Sequence, residues 1–233
     1  EYVSEGDCLV INDSRVIPAR FNGYRESTDG KLEVLLVERM EQNRWKVMVN
    51  PGRKARIGDK LILEEKYRCE VMDIDRETGE RLLQFENEGG LLDYGSIPLP
   101  PYIEREPDNR DSIRYQTVYA REKGSVAAPT AGLHFSEDRL RSIEEKGINI
   151  APVTLHVGPG TFRPVNTENI EEHNMESERY EITEKSAEII NSTRESGGSI
   201  FAVGTTTVRV LETAVNDKGI LESEKGRTDL FIY

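Results

Sequence analysis

Apolar and polar positions alternate in two textures along this chain. Cys8-Leu9-Val10-Ile11 is a short apolar run, set off by Gly6-Asp7 before it and by Asn12-Asp13-Ser14-Arg15 after it, which is the pattern of a buried strand. From Ile17 to Ile97 short strand-like runs follow one another: Arg20–Tyr24, Leu32–Arg39, Trp45–Val49, Lys60–Leu63, Cys69–Asp73 and Leu82–Phe85. Turn signals separate them, among them Thr28-Asp29-Gly30, Asn50-Pro51-Gly52 and Ile57-Gly58-Asp59. Short strands at this spacing with Gly-rich turns predict a small antiparallel barrel or sandwich. Glu88–Tyr94 reads as a Gly-interrupted exit, Ile97–Tyr102 as a stiff proline-set linker, and Glu104–Ile113 as an exposed polar loop.

Beyond this point helices and strands alternate. Ser136 caps a helix that runs to about Lys146, with Leu140 and Ile143 as its buried stripe and Gly147 just past its end. Ile148–His156 is a buried strand, and Pro152 assigns it an irregular or edge position. Tyr180–Ile182 is a strand, and Thr183 caps a helix over Glu184–Glu195 whose apolar face is Ala187, Ile189 and Ile190. Gly197-Gly198 stops that helix. Ile200–Val203 is a buried strand, and Gly204-Thr205-Thr206-Thr207 leads into a helix over Val208–Val215. Asp229–Tyr233 closes the chain as a strand-like run. This order is the grammar of an α/β domain.

Composition narrows the function classes. The chain has 233 residues, enough for one large domain or two modest ones, and 36% of them are hydrophobic. A charged fraction of 32% and a mean hydropathy of -0.60 indicate a soluble protein with no membrane partner. No apolar run reaches membrane-spanning length, and no signal peptide is expected. Cys8 and Cys69 are too few and too far apart for a staple or a metal pair, so the expected compartment is the reducing cytoplasm. His134, His156 and His173 fit no zinc spacing, and no metal is expected. A net charge of -12 argues against blanket nucleic-acid binding but says nothing of local patches. The densest basic cluster is Arg53-Lys54-Ala55-Arg56, read as a solvated turn in preference to a phosphate contact.

Candidate chemistry falls on three loops. Ser125–His134 is small and nearly chargeless, so a ligand can approach its backbone closely; Gly132 lies within it, and Thr130 and His134 offer a hydroxyl and an imidazole. A buried connecting loop is the plainer alternative. Residues Val157–Pro164 carry Gly158, Gly160, Thr161 and Arg163, with His156 at the carboxyl end of the preceding strand, where open α/β sheets bind ligands. A tight turn explains the glycines equally. Gly204-Thr205-Thr206-Thr207 sets N–H and hydroxyl donors at a helix N-terminus, a ready carboxylate site, with Arg209 and Glu212 one turn apart and able to pair. Asn12 and Arg15 lie just past a buried strand and are either ligand contacts or parts of an Asx-type turn. His173 and Glu178 are further acid–base candidates.

Six blocks carry a resemblance over essentially the whole chain, in order: Gly6–Arg20, Pro98–Tyr102, Tyr115–Tyr119, Ala127–Phe135, Leu155–Val165 and Val203–Thr206. Together they resemble the S-adenosylmethionine:tRNA ribosyltransferase-isomerase family of queuosine biosynthesis. Where that family usually carries a second histidine, in His-x-Met-His-x-Glu, this chain has Glu176, which leaves His173 and Glu178 as the comparable groups. The resemblance implies a barrel-like α/β domain, residues 1–16 with 99–233, into which a small antiparallel β-barrel domain, residues 17–98, is inserted. It also implies that the family continues past both ends of this chain.

The implied reaction moves and rearranges the ribosyl part of S-adenosylmethionine onto a 7-aminomethyl-7-deazaguanine at the tRNA wobble position. It gives epoxyqueuosine and releases adenine and methionine. S-adenosylmethionine is a consumed cosubstrate, and no bound cofactor is expected. By chemical type, His134 or His156 is the base, and Glu178 or Glu212 balances the sulfonium. Thr130, Gly132, Gly158, Gly160, Thr161 and Gly204–Thr207 bind S-adenosylmethionine. Asn12, Arg15, Arg20, Arg114, Tyr115 and Arg163 face the tRNA. The expected partners are the precursor-bearing tRNA and S-adenosylmethionine, met by a cytoplasmic monomer. Two other readings compete: a nucleotide or sugar-phosphate transferase acting on a free metabolite, and a non-catalytic RNA-binding module.

Overall fold

A computed structural model describes residues 2–41, 43–162, 169–172 and 175–233. The chain divides into two units, one made of Glu1–Val16 with Ile113–Tyr233 and the other of Ile17–Ser112. In chain order the strands of the first part are β1 (Cys8–Asn12), β2 (Ser14–Val16), β3 (Arg20–Arg25), β4 (Gly30–Arg39), β5 (Arg44–Asn50), β6 (Lys60–Leu63), β7 (Tyr67–Ile74) and β8 (Arg81–Phe85). They are followed by α1 (Asp111–Arg114), β9 (Glu122–Ser125), α2 (Glu137–Glu144), β10 (Asn149–Leu155), β11 (Glu178–Ile182), α3 (Glu184–Glu195), β12 (Ile200–Ala202), α4 (Thr205–Ala214) and β13 (Glu224–Thr228).

The unit over Ile17–Ser112 is a closed six-stranded barrel in the order β3-β4-β5-β8-β7-β6. The period-2 pattern sends Val34, Leu36, Val47, Leu61, Leu63, Val71, Leu83, Phe21 and Phe85 inward, all essentially fully buried. Closure depends on β3 pairing with β6 through Gly23↔Leu63, Tyr24↔Ile62 and Arg25↔Leu61. Gly23 is required there, because a Cβ would lie 2.6 Å from both the Ile62 carbonyl oxygen and a Leu63 methyl. A closed barrel leaves no unpaired strand edge. The polar segment after it is exposed, as its composition predicts, except at one residue. Asp111 is buried, accepts from the Asp108 N–H at 2.7 Å and pairs with Arg105 at 2.6 Å.

The other unit is built on a five-stranded mixed sheet in the order β12-β1-β10-β11-β13. β1 runs parallel to β10 and β12, while β10–β11 and β11–β13 are antiparallel. β2 and β9 form a separate parallel pair. The helix caps stand where the side-chain chemistry puts them: Ser136 accepts from the Arg139 N–H and Thr183 from the Ser186 N–H, each at 3.2 Å. Val10, Ala151, Val153, Leu155, Ile182, Ile190 and Val210 make its core.

Several expectations need correction. Pro152 is in a central strand, not an edge one. It pairs with Ile11 in the parallel register, and β11 joins β10 only at Thr154 and Leu155. The Pro152 carbonyl accepts from Ser186 Oγ at 2.6 Å, so the side of the strand where an N–H is missing faces a helix and not a ladder. β12 is a short edge strand and only half-buried. Leu140 and Ile143 are likewise half-buried, so α2 lies on the surface. α4 begins at Thr205, which puts the threonines inside its first turn. The terminal strand is Glu224–Thr228, and residues 229–233 carry no strand. Among the described residues no helix is long and apolar enough to cross a membrane.

Candidate active site

In a parallel pair the carboxyl ends of both strands reach the same side, and β1, β10 and β12 do so here. Asn12 ends β1, and His156 and Gly204 follow the ends of its neighbours β10 and β12. Asn12 is 1% exposed and ties this edge together: its Nδ2 donates to the Leu155 carbonyl at 3.2 Å, and its Oδ1 accepts from the N–H of Leu155 and of Ser14 at 3.0 and 3.1 Å. It is thus an Asx turn and a clamp on β10 at once. Asp13 beside it is also buried. Its two oxygens accept from Thr154 Oγ1 and Arg121 Nη2, each at 2.7 Å. Arg15 Nη1 donates to the Ala120 carbonyl at 3.3 Å.

The loop after β10 is fixed from both flanks. Ser125 Oγ accepts from the Val157 N–H at 3.0 Å, and the N–H groups of Val126 and Ala127 donate to the Val157 carbonyl. The His156 ring covers Gly124, where a Cβ would come within 2.7 Å of Nδ1. Gly124 has φ +150°, so glycine is needed there on both counts. Gly158 donates its N–H to Glu178 Oε1 at 2.6 Å, and Gly160 packs against Glu176. Thr161 is exposed at the end of this turn.

Glu178 is a second buried acid of this unit. It is 4% exposed, and its second oxygen, Oε2, accepts from Nη1 of Arg209, itself 5% exposed. Arg209 also donates to the carbonyls of Leu230, at 2.6 Å, and Thr228, at 3.2 Å. The expected Arg209–Glu212 pairing is therefore replaced by a buried pair between α4 and the start of β11. Burial raises the Glu178 carboxyl above the usual carboxylate range; the Arg209 guanidinium and the Gly158 N–H pull it back toward ionisation.

The small-residue stretch packs against both neighbours of this edge. A Cβ on Gly132 would lie 2.0 Å from Tyr119 Oη and 2.7 Å from Thr117 Cγ2. One on Gly204 (φ +82°) would lie 2.9 Å from Ala131 Cβ. Gly132 and Gly204 therefore let the segment over Thr130–His134 nest between the Tyr119 side and the N-terminus of α4. The hydroxyls of Thr117, Tyr119 and Thr206 are buried with no hydrogen-bond partner among the described residues. Thr207 Oγ1 donates to the Val203 carbonyl at 2.9 Å, and Thr205 is exposed. Burial, and then the Asp13 charge, push the Tyr119 phenol up to about 12.

Not every candidate joins this group. His134 is exposed and lines a groove of about 680 Å³ along α2 with Tyr2, Phe135, Arg139 and Ile143. Thr130 is exposed, as is Arg114, while Tyr115 is buried. Arg20 belongs to the barrel unit, with its Nε 3.6 Å from Glu33. Arg163 and His173 lie outside the described residues. Asp13, Thr117 and Tyr119 are not among the site candidates of the sequence, and Arg209 was read there only as a partner for Glu212. Thr117 and Tyr119 lie in a turn between α1 and β9, where no strand or helix period brings them out of the sequence.

A family model described as a queuosine biosynthesis protein matches residues 1–233. Proteins named S-adenosylmethionine:tRNA ribosyltransferase-isomerase from Acetivibrio thermocellus and Clostridium kluyveri are 51% and 49% identical to this chain, over 238 and 237 residues. Each alignment covers 100% of this chain and 69% of the relative. A solved S-adenosylmethionine tRNA ribosyltransferase from Thermotoga maritima is 31% identical, with a TM-score of 0.39. That match takes in 100% of this chain and 63% of the solved one, so this chain spans less than two thirds of its length.

Proposed function

This chain belongs to the queuosine biosynthesis protein family, and we propose from that premise that it acts as an S-adenosylmethionine:tRNA ribosyltransferase-isomerase. The ribosyl part of S-adenosylmethionine passes to the aminomethyl group of a 7-deazaguanine in tRNA and is rearranged to the epoxyqueuosine side chain, with loss of adenine and methionine. The observation that carries this reading is 51% identity, over the full chain, to a protein of that name. The catalytic domain is the discontinuous α/β unit, the barrel is its insert, and the protein works as a cytoplasmic monomer. The free, buried state of Cys8 and Cys69 supports a reducing compartment.

The sulfonium acidifies the carbon beside it, so the first need is a base with a pKa near neutrality. We assign His156, which follows β10 at the carboxyl edge of the sheet; His134, on the α2 groove, is the alternative base. Glu178 supplies a fixed negative charge toward the sulfonium, because its oxygens are already held by Gly158 and Arg209 and need no reorganisation. The uncapped first turn of α4, at residues 204–207, receives the methionine carboxylate through its N–H groups and the Thr206 hydroxyl. Gly158, Gly160 and Thr161 line the adenosine side, with Gly132 and Thr130 opposite. Asn12 holds this edge in register, and Arg15, Arg20, Arg114, Tyr115 and Arg163 are the contacts offered to tRNA.

Adenine release from S-adenosylmethionine tests the proposal. It is expected only when tRNA bearing the aminomethyl-deazaguanine is present. Release at the same rate without that tRNA, or none with it, overturns the assignment.

A further inference from the structure

The basic turn Arg53-Lys54-Ala55-Arg56 has no part in the chemistry above, yet the barrel unit builds it with care. It joins β5 to β6. Ala55 at its centre is fully buried, while Arg53 and Arg56 on either side are exposed. Arg81 braces it from β8, donating to the carbonyls of Gly52, at 2.9 Å, and of Gly79. Lys54 reaches back to β4, its Nζ 2.7 Å from the Lys31 carbonyl. Asp59 closes the turn by accepting from the Arg56 N–H at 2.8 Å through Oδ2. Its Oδ1 takes Arg25 Nη2 at 2.6 Å, which balances its charge.

The result is a basic turn whose one carboxylate, Asp59, is taken up by Arg25. From Arg44 to Lys60 the chain carries six Lys or Arg residues and one carboxylate, that same Asp59, in a protein of net charge -12. Among the described residues no ion pair or hydrogen bond engages the guanidinium of Arg53 or Arg56. Ile57, 61% exposed, adjoins them. Three other arginines of the barrel meet acids: Arg39 with Glu88, Arg68 with Glu26, Arg25 with Asp59. Cations gathered on a braced turn and left without acids repel one another until an anion arrives, and the backbone that carries them has little freedom left to lose.

We propose that this turn is a contact surface for the sugar-phosphate backbone of tRNA, with Arg53, Lys54 and Arg56 as the phosphate ligands. The proposal rests on the reading above that the substrate is a tRNA. Contacts of this kind set register and affinity and carry no base information.

The test measures the affinity of the full chain for unmodified tRNA transcript across a salt series, by fluorescence anisotropy, with S-adenosylmethionine affinity and melting temperature followed in parallel. Replacing all three cations (Arg53→Ala, Lys54→Ala, Arg56→Ala) is expected to weaken tRNA binding about tenfold or more. The slope of log affinity against log salt should flatten by roughly 2, since each lost phosphate contact removes about 0.7–0.9. S-adenosylmethionine affinity should stay unchanged, and a charge-keeping variant (Arg53→Lys with Arg56→Lys) should retain most of the binding. A triple variant with wild-type affinity and slope overturns the surface, as does an Arg→Lys variant that loses as much as the alanine one. The two claims fail separately. Wild-type protein that binds tRNA but releases no adenine sinks the reaction and leaves the surface. A triple variant that binds tRNA and releases adenine like wild type sinks the surface and leaves the reaction.

Discussion

Glu178 and Arg209 show how one pair of side chains ties distant parts of the chain to a site. The pair is buried on both sides and joined to Gly158, Thr228 and Leu230. Removing one partner strands the other charge out of water, at a cost of about 3–5 kcal/mol. Arg209→Met is therefore expected to lower unfolding free energy by that order in urea titration. Replacing both by apolar residues should cost less than the two single changes summed. Tyr119 gives the opposite expectation. Its hydroxyl is buried without a partner, so Tyr119→Phe removes an unsatisfied group and should raise stability by about 1 kcal/mol. A loss of stability would show that the hydroxyl is bonded in solution. Glu178 was legible as a candidate from its residue type. Its partner was not, because helical spacing reports neighbours one turn away, such as Glu212, and is blind to a residue 31 positions back. Asn12 was read as either a ligand contact or an Asx turn, and the structure shows the Asx turn.

Elements were legible wherever local chemistry sets them. The barrel strands follow the period-2 pattern, and α3 runs from Glu184 to Glu195 behind its Thr183 cap. Elements whose existence depends on a neighbour were not. Glu224–Thr228 has almost no apolar residue and is a strand because β11 pairs with it. Glu122–Ser125 is likewise drawn into place by β2. Pro152 misled because proline usually marks an edge, whereas here the side without a ladder is filled by α3. The segment 104–113 is mostly exposed, as its composition predicts, and within it Arg105 and the Asp108 N–H hold the Asp111 carboxyl down at about 2, below its ordinary 3.8. A carboxylate held down in the fold stabilises it above its unfolded pKa. That contribution is present above about pH 4 and is lost as the pH falls through about 2. An NMR titration should place the Asp111 midpoint near 2, and Arg105→Ala should return it toward 3.8.

At the scale of the whole molecule, two units divide the work: a closed barrel with its own core, and a mixed sheet whose carboxyl edge gathers His156, Glu178 and the first turn of α4. That edge was legible from strand-then-glycine grammar. The exposure of His134 on the α2 groove was not, since only packing tells which side of a short turn faces the sheet. Burial pushes the Cys8 thiol up to about 11 and the Cys69 thiol up to about 12, so both are protonated at pH 8. Neither should react with iodoacetamide in the native protein, and both should label once it is unfolded. Labelling of either without unfolding would mean that its core opens. The account rests finally on ribosyl transfer, and one measurement addresses that directly: incubation with S-adenosylmethionine labelled in its ribose and tRNA bearing the aminomethyl-deazaguanine. The account predicts label in the tRNA nucleoside, one equivalent for each adenine released. Label that stays with the small molecules while adenine is released would contradict it.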